Sequence, residues 1–137
     1  MKTLSLSLAV CVLMSAGAAR AADKITTNDL KEIGLAYHSY FDKNKKGPAK
    51  ADDLASFLDA TNRKKLIDAL KAEDVVFIYN VGILDMIDGT SNTLIAYVKD
   101  APKDGGLVLY GDGSVKTMKA DEFKKAILAK PKTKKDK

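Results

Sequence analysis

Apolar residues recur at helical spacing early in the chain. Leu30, Ile33, Gly34, Tyr37 and Phe41 fall at i, i+3, i+4, i+7 and i+11, which is one face of an amphipathic helix. Thr26-Thr27-Asn28-Asp29 precedes this face, with Thr26 and Asp29 spaced as a capping box. Asn44-Lys45-Lys46-Gly47-Pro48 ends the helix, just after Lys43. Gly34 lowers helix propensity inside the buried stripe, so its expected reason is the close approach of another element. Asp52 to Asp59 predicts a short second helix with Leu54, Phe57 and Leu58 inward. Thr61 is placed to cap a third, whose apolar set is Leu66, Ile67 and Leu70.

The period then changes to that of strands. Val75-Val76-Phe77-Ile78-Tyr79 is β-branched and aromatic, and predicts a buried strand that Val81 to Leu84 could prolong past Gly82 through a bulge. Asp88-Gly89 turns the chain into a second strand, Thr93 to Val98, and a polar loop runs from Lys99 to Gly106. Leu107 to Tyr110 and Val115 to Met118 flank Gly111-Asp112-Gly113-Ser114, whose Asp-Gly step predicts a tight hairpin. Asp121 to Leu128 reads as a last short helix. Helices followed by an antiparallel meander predict an α+β fold: a long N-terminal amphipathic helix on a small sheet of about four strands, with short accessory helices.

Met1 to Ala21 is set apart from this domain. Lys2, the apolar run Leu4 to Met14 and the small residues ending Ala19-Arg20-Ala21 have the order of a secretory signal peptide cut after Ala21. The run is shorter than the roughly 20 residues that span a bilayer, so no stable membrane span is expected after cleavage. Cleavage also removes Cys11, the one cysteine, leaving a secreted or periplasmic product without thiol or disulfide. The chain has 137 residues, enough for one domain at 22–128.

Charge is concentrated at the other end. The formal net charge is +5, and the nine residues Ala129 to Lys137 hold five Lys and one Asp. Lys2 and Arg20 account for two more positive charges, which leaves Ala22 to Leu128 at about −1. A Lys-rich, Pro-containing, aperiodic segment at 129–137 is expected to be a disordered tail. It reads either as a solubilising tail or as a contact to an anionic surface or an envelope protein. Nucleic acid is not expected, because no aromatic residue is interleaved with these lysines.

Candidate chemistry is sparse. Asp42, Asn44, Gly47 and Asp53 occupy EF-hand positions 1, 3, 6 and 12, but Lys46 and Lys50 replace the oxygen ligands at 5 and 9, so no metal is expected there. His38 is the only imidazole and lies beside the apolar stripe, the place of a hydrogen-bonded structural histidine. A serine triad would need His38 and a serine in a sharp exposed turn, and no G-x-S-x-G is present. Asp88-Gly89-Thr90-Ser91-Asn92-Thr93 is dense in side chains that bond their own backbone. It reads either as a structured turn or as a polar pocket near Asp85 and Asp112. There is no phosphate loop, dinucleotide fingerprint or metalloprotease pair, so neither a cofactor nor an enzymatic activity is expected.

Three segments together resemble one known family. Asp29-Leu30-Lys31-Glu32-Ile33-Gly34-Leu35-Ala36-Tyr37-His38-Ser39-Tyr40-Phe41-Asp42 is similar to the NLKQIGLALHNYHD helix of a planctomycete family of unknown function. Asp88 to Thr93 matches its DGTSNT segment, and Val108-Leu109-Tyr110-Gly111-Asp112-Gly113-Ser114-Val115 is similar to its VLFADGSV hairpin. The resemblance covers Asp29 to about Met118. It implies a pilin-like fold, since longer members carry a prepilin-type leader and are related to pseudopilins. Met1 to Ala21 lacks the Gly-Phe-Thr-Leu-x-Glu pattern of that leader, and the large central insertion is absent. The chain therefore resembles a short, secreted variant.

These readings converge on an exported, non-enzymatic pilin-like domain with a structural or protein-interaction role at the cell envelope. The alternative is an extracytoplasmic small-ligand or metal-binding module using the Asp88 to Asn92 turn. The positions singled out are His38, Asp42, Asp88, Thr90, Ser91, Asn92 and Asp112.

Overall fold

The computed structural model describes residues 24–132. The expected signal peptide, Met1 to Ala21, lies outside the described residues, as does Thr133 to Lys137. Helix α1, Thr27–Asn44, starts as its residues dictate. The Thr26 hydroxyl accepts from the Asp29 N–H (3.2 Å), and an Asp29 carboxylate oxygen accepts from the Thr26 N–H (2.9 Å), a closed capping box. The same Asp29 oxygen takes the Lys65 ammonium at 2.9 Å, which ties the start of α1 to α2, Arg63–Lys71. Burial of Asp29 works against its charge. The hydrogen bonds from Thr26 and Lys65 outweigh that burial and hold the carboxyl below the ordinary range.

Leu30, Ile33, Gly34 and Tyr37 are buried as their spacing predicts, but Phe41 is only half-buried, and Ala36 and Tyr40 are buried as well. The buried face is wider than the stripe because α1 packs on two neighbours. One side meets the sheet, and the other meets the 3₁₀ segment Ala51–Phe57, where Tyr40 and Phe57 stand edge to face at 5.9 Å. That segment replaces the expected helix Asp52 to Asp59; Leu54 and Leu58 point inward, and Phe57 is half-buried. Thr61 does not cap α2. Asn62 takes that position without a side-chain cap bond, and Glu32 of α1 instead accepts from the Asp59 N–H and the Asn62 amide. Leu66, Ile67 and Leu70 are buried on α2, and each such side chain contributes about 1.5–3 kcal/mol.

The fold is α+β. Strands β1 (Val75–Phe77), β2 (Thr93–Val98), β3 (Gly106–Tyr110) and β4 (Val115–Met118) form an antiparallel meander in that order. The β3–β4 hairpin pairs Leu107 with Thr117 and Leu109 with Val115, and Gly113 takes the left-handed conformation (φ 89°) that its turn needs. β1 is shorter than its residues suggest. After the rung from the Ile78 N–H to the Ile95 carbonyl, Asn80 adopts φ 62° and donates to the Pro48 carbonyl, turning the chain off the sheet. Val81 then plunges into the core and Ile83–Asp85 forms a 3₁₀ turn, so no strand continues to Leu84.

The edge of β2 that β1 vacates is taken by β5, Ile127–Leu128, running parallel with Thr93 paired to Ile127 and Leu94 to Leu128. The last helix, α4, is correspondingly short (Ala120–Lys125), and a four-residue helix α3, Ala101–Asp104, interrupts the polar loop. The start of the expected tail is also placed. Ala129 is buried and its N–H donates to the Leu94 carbonyl, while Lys132 reaches Asp85 at 2.8 Å. Residues 129–132 thus belong to the folded body because β5 carries them along the sheet. α1 and α2 cover one sheet face over Ile33, Tyr37, Phe77, Ile95 and Leu109. A smaller cluster of Leu94, Val108, Ala101 and Phe123 lies apart from it, with Tyr97 edge to face on Phe123. No described helix is long and apolar enough to cross a membrane.

Candidate functional site

The three segments that carry the family resemblance meet at one junction. α1 crosses the β3–β4 turn at Gly34, where an added Cβ would stand 3.3 Å from the Gly113 Cα and 3.1 Å from Leu109. One turn further along α1, the His38 Nε2–H donates to the Gly111 carbonyl at 2.8 Å. A carbonyl only accepts, so the bond places a proton on Nε2. The Gly111 N–H donates to the Thr93 carbonyl (2.8 Å) and the Asp112 N–H to the Thr90 carbonyl (3.1 Å), which locks the hairpin turn to the Asp88 to Thr93 turn.

Within that second turn the polar side chains close on local backbone. The Asn92 amide donates to the Asp88 carbonyl (2.9 Å), and the Thr93 hydroxyl donates to the Gly89 carbonyl (2.9 Å). Asp112 accepts from both the N–H and the hydroxyl of Ser114, the latter at 2.6 Å. Partial burial of Asp112 works against its charge, but these bonds prevail and hold the carboxyl below its ordinary range. Ser91 and Asp88 are exposed, and Asp88 contributes its carbonyl.

His38, Thr90, Asn92 and Asp112 therefore belong to one hydrogen-bonded junction. Asp42 does not; it is exposed near the end of α1. Its EF-hand neighbours serve other ends: Asn44 bonds the Tyr40 carbonyl, and Asp53 accepts from the Ala49 and Lys50 N–H groups. Among the described residues no three His, Cys, Asp or Glu side chains converge as a metal cage. The Ser114 hydroxyl donates to Asp112, and the His38 ring bonds the Gly111 carbonyl, so these two groups are not hydrogen-bonded to each other as a nucleophile and its base. Beside the junction lies an open depression of about 410 Å³, lined by Lys31, Gly34, Leu35, His38, Asp112 and Gly113, with Leu35 70% exposed.

A second surface escaped the sequence reading. The 3₁₀ turn Ile83–Asp85 is pinned at two points: Asp85 accepts from the Gly82 N–H at 2.8 Å, and from Lys132 at 2.8 Å. Burial of Asp85 opposes its charge, and the Lys132 and Gly82 bonds overcome it and lower the pKa. Met86 is buried against Gly111, whereas Leu84 and Ile87 are 85% and 93% exposed. Ile127 and Leu128 of β5 border the same groove. A signal existed in the order Ile83, Leu84, Asp85, Met86, Ile87, where four apolar residues fit neither a strand alternation nor a helix face. No family model, no curated protein and no solved structure matches the chain.

Proposed function

We propose that the chain is an exported, non-enzymatic pilin-like module that works by binding at the cell envelope, as a short secreted variant of the planctomycete family it resembles. The observation that carries this reading is the junction itself. The three resembling segments, distant in sequence, meet at Gly34–Gly113, His38–Gly111 and Asp112–Thr90, and their polar groups hold one another's backbone. Such bonding suits residues kept for architecture, and it leaves function to the surface. The antiparallel meander packed under α1 agrees with the pilin-like expectation at the level of the α+β class.

The lysines of residues 130–137 supply the electrostatic half of envelope binding. Cell fractionation with intact mass measurement tests the reading. The expected outcome is a species starting near Ala22 that fractionates with the envelope and is partly released by salt. A cytoplasmic full-length species would overturn export. Removal of residues 133–137 with unchanged envelope association at low and high salt would overturn the role of the tail.

A further inference from the structure

We propose that Leu84, Ile87, Ile127 and Leu128 form a lipid-binding face that inserts at the headgroup–acyl boundary of an anionic bilayer, with Lys130 and Lys132 at its rim. The proposal rests on the envelope reading above and names the surface that the envelope presents. The four aliphatic side chains border a single groove of about 340 Å³, and they are four of the five large apolar side chains exposed among the described residues. Apolar side chains concentrated in this way mark an interaction site more than scattered ones do.

The geometry holds them outward. Asp85 fastens the 3₁₀ turn to Gly82 and Lys132, and Met86 anchors its other end in the core, so Leu84 and Ile87 project from a fixed platform. Little ordering remains to be done on binding.

The chemistry of the patch favours lipid over protein. Protein-binding hot spots are built on Trp, Tyr and Arg. This groove has Leu, Ile and Met, with Lys as its only cation. Lysine stems lie along an apolar boundary while their ammonium groups reach anionic headgroups. Two carboxylates also line the groove. Lys132 pairs with Asp85, while Asp88 and Lys130 line the same groove with opposite charges, so its positive balance comes from the lysines that follow in sequence. In the sequence after Lys132, Lys134, Lys135 and Lys137 against Asp136 add further positive charge. Pairing of β5 with a second copy is disfavoured by its two-residue length and by Pro131 close behind it.

The test uses the full chain and vesicles of phosphatidylglycerol and phosphatidylcholine in equal parts, beside vesicles of phosphatidylcholine alone. Leu84→Ser/Ile87→Ser should lower flotation with the anionic vesicles about tenfold or more, as expected from withdrawing two large aliphatic side chains. Lys130→Gln should lower it about fivefold, in a way that high salt mimics. The chain has no Trp, so Ile87→Trp gives a single reporter that is independent of the N-terminal segment. Its emission should shift to the blue with anionic vesicles. Lys99→Trp, exposed past the opposite end of β2, should not shift. Unshifted Ile87→Trp emission, or equal flotation of the wild type and the serine pair, overturns the proposal. If the wild type still fractionates with the envelope and the serine pair does not, while vesicles bind neither, the face belongs to a protein partner. The lipid assignment then falls and the envelope reading stands. If the wild type never reaches the envelope, that reading fails whatever the vesicles show.

Discussion

The two regions that flank Met86 use their side chains in opposite ways. On one side, the junction of α1, the hairpin turn and the Asp88 to Thr93 turn is rich in polar residues, and these bond backbone groups inside the structure. On the other side, the Ile83–Asp85 turn and β5 present aliphatic side chains to solvent on a pinned platform. Residues that look chemically active in sequence thus bond within the structure, and several residues that look like core are left exposed. Polarity along a chain is a poor guide to function where turns need acceptors and donors of their own.

The largest expected effect comes from the residue that joins the two regions. A Cβ on Gly111 would collide with the Met86 sulfur and stand 3.2 Å from the Thr90 carbonyl. Gly111→Val should therefore cost about 3 kcal/mol through overpacking. In a domain of this size the melting temperature should fall by more than about 10 °C. Thermal denaturation that leaves Gly111→Val within a few degrees of the wild type would break the coupling drawn between junction and platform.

His38→Ala comes next. It leaves the carbonyl of buried Gly111 without its donor, at a cost of about 1–3 kcal/mol. Leu84→Ser/Ile87→Ser, by contrast, should move stability by no more than about 0.5 kcal/mol, because both side chains are already in water. Urea unfolding of the two variants side by side measures the contrast. Equal losses would mean that the exposed pair is buried in the native protein by something not yet identified.

Acid provides a probe common to both regions. Asp112 in the junction and Asp85 in the platform both have carboxyls held below their ordinary range by hydrogen bonds that overcome burial. A depressed carboxyl contributes stability that is complete above the unfolded value, about 3.9, and is lost as pH falls through the folded one. Wild-type stability should be level from neutrality to about pH 5 with respect to these groups and decline below about pH 4. In Asp85→Asn and Asp112→Asn the acid decline should be shallower. A pH profile of either variant parallel to the wild type would remove that carboxylate from the account.

Much of the scaffold was legible because local rules coincide with tertiary ones. The Thr26/Asp29 capping box, the Asp112-Gly113 hairpin and the burial of Leu66, Ile67 and Leu70 all follow from spacing alone. What stayed hidden depends on partners distant in sequence. Tyr40 is buried only because the Ala51–Phe57 segment folds back on α1. Ile127-Leu128 becomes a strand only because Asn80 turns β1 away and leaves an edge of β2 open. The same event carries Ala129 into the core and brings Lys132 to Asp85. At the candidate site, the turn-forming residue types were legible, but the convergence of α1 with two turns, and the direction of their side chains toward backbone, were not readable from order alone.

The smallest expected effect discriminates most finely between a turn and a site. Asn92 and Ser91 are adjacent, both exposed and both within the resembling segment, yet only Asn92 has a bond to make, to the Asp88 carbonyl. Asn92→Ala should cost about 1 kcal/mol, and Ser91→Ala no more than about 0.5 kcal/mol, in denaturant unfolding. If the segment is architecture, the two variants rank by stability alone, and neither changes envelope association beyond what that ranking explains. If instead Ser91→Ala leaves stability untouched but abolishes association, or abolishes a melting shift produced by a divalent cation or small anion, the segment holds a ligand. The polar pocket would then displace the structured turn as the meaning of these six residues.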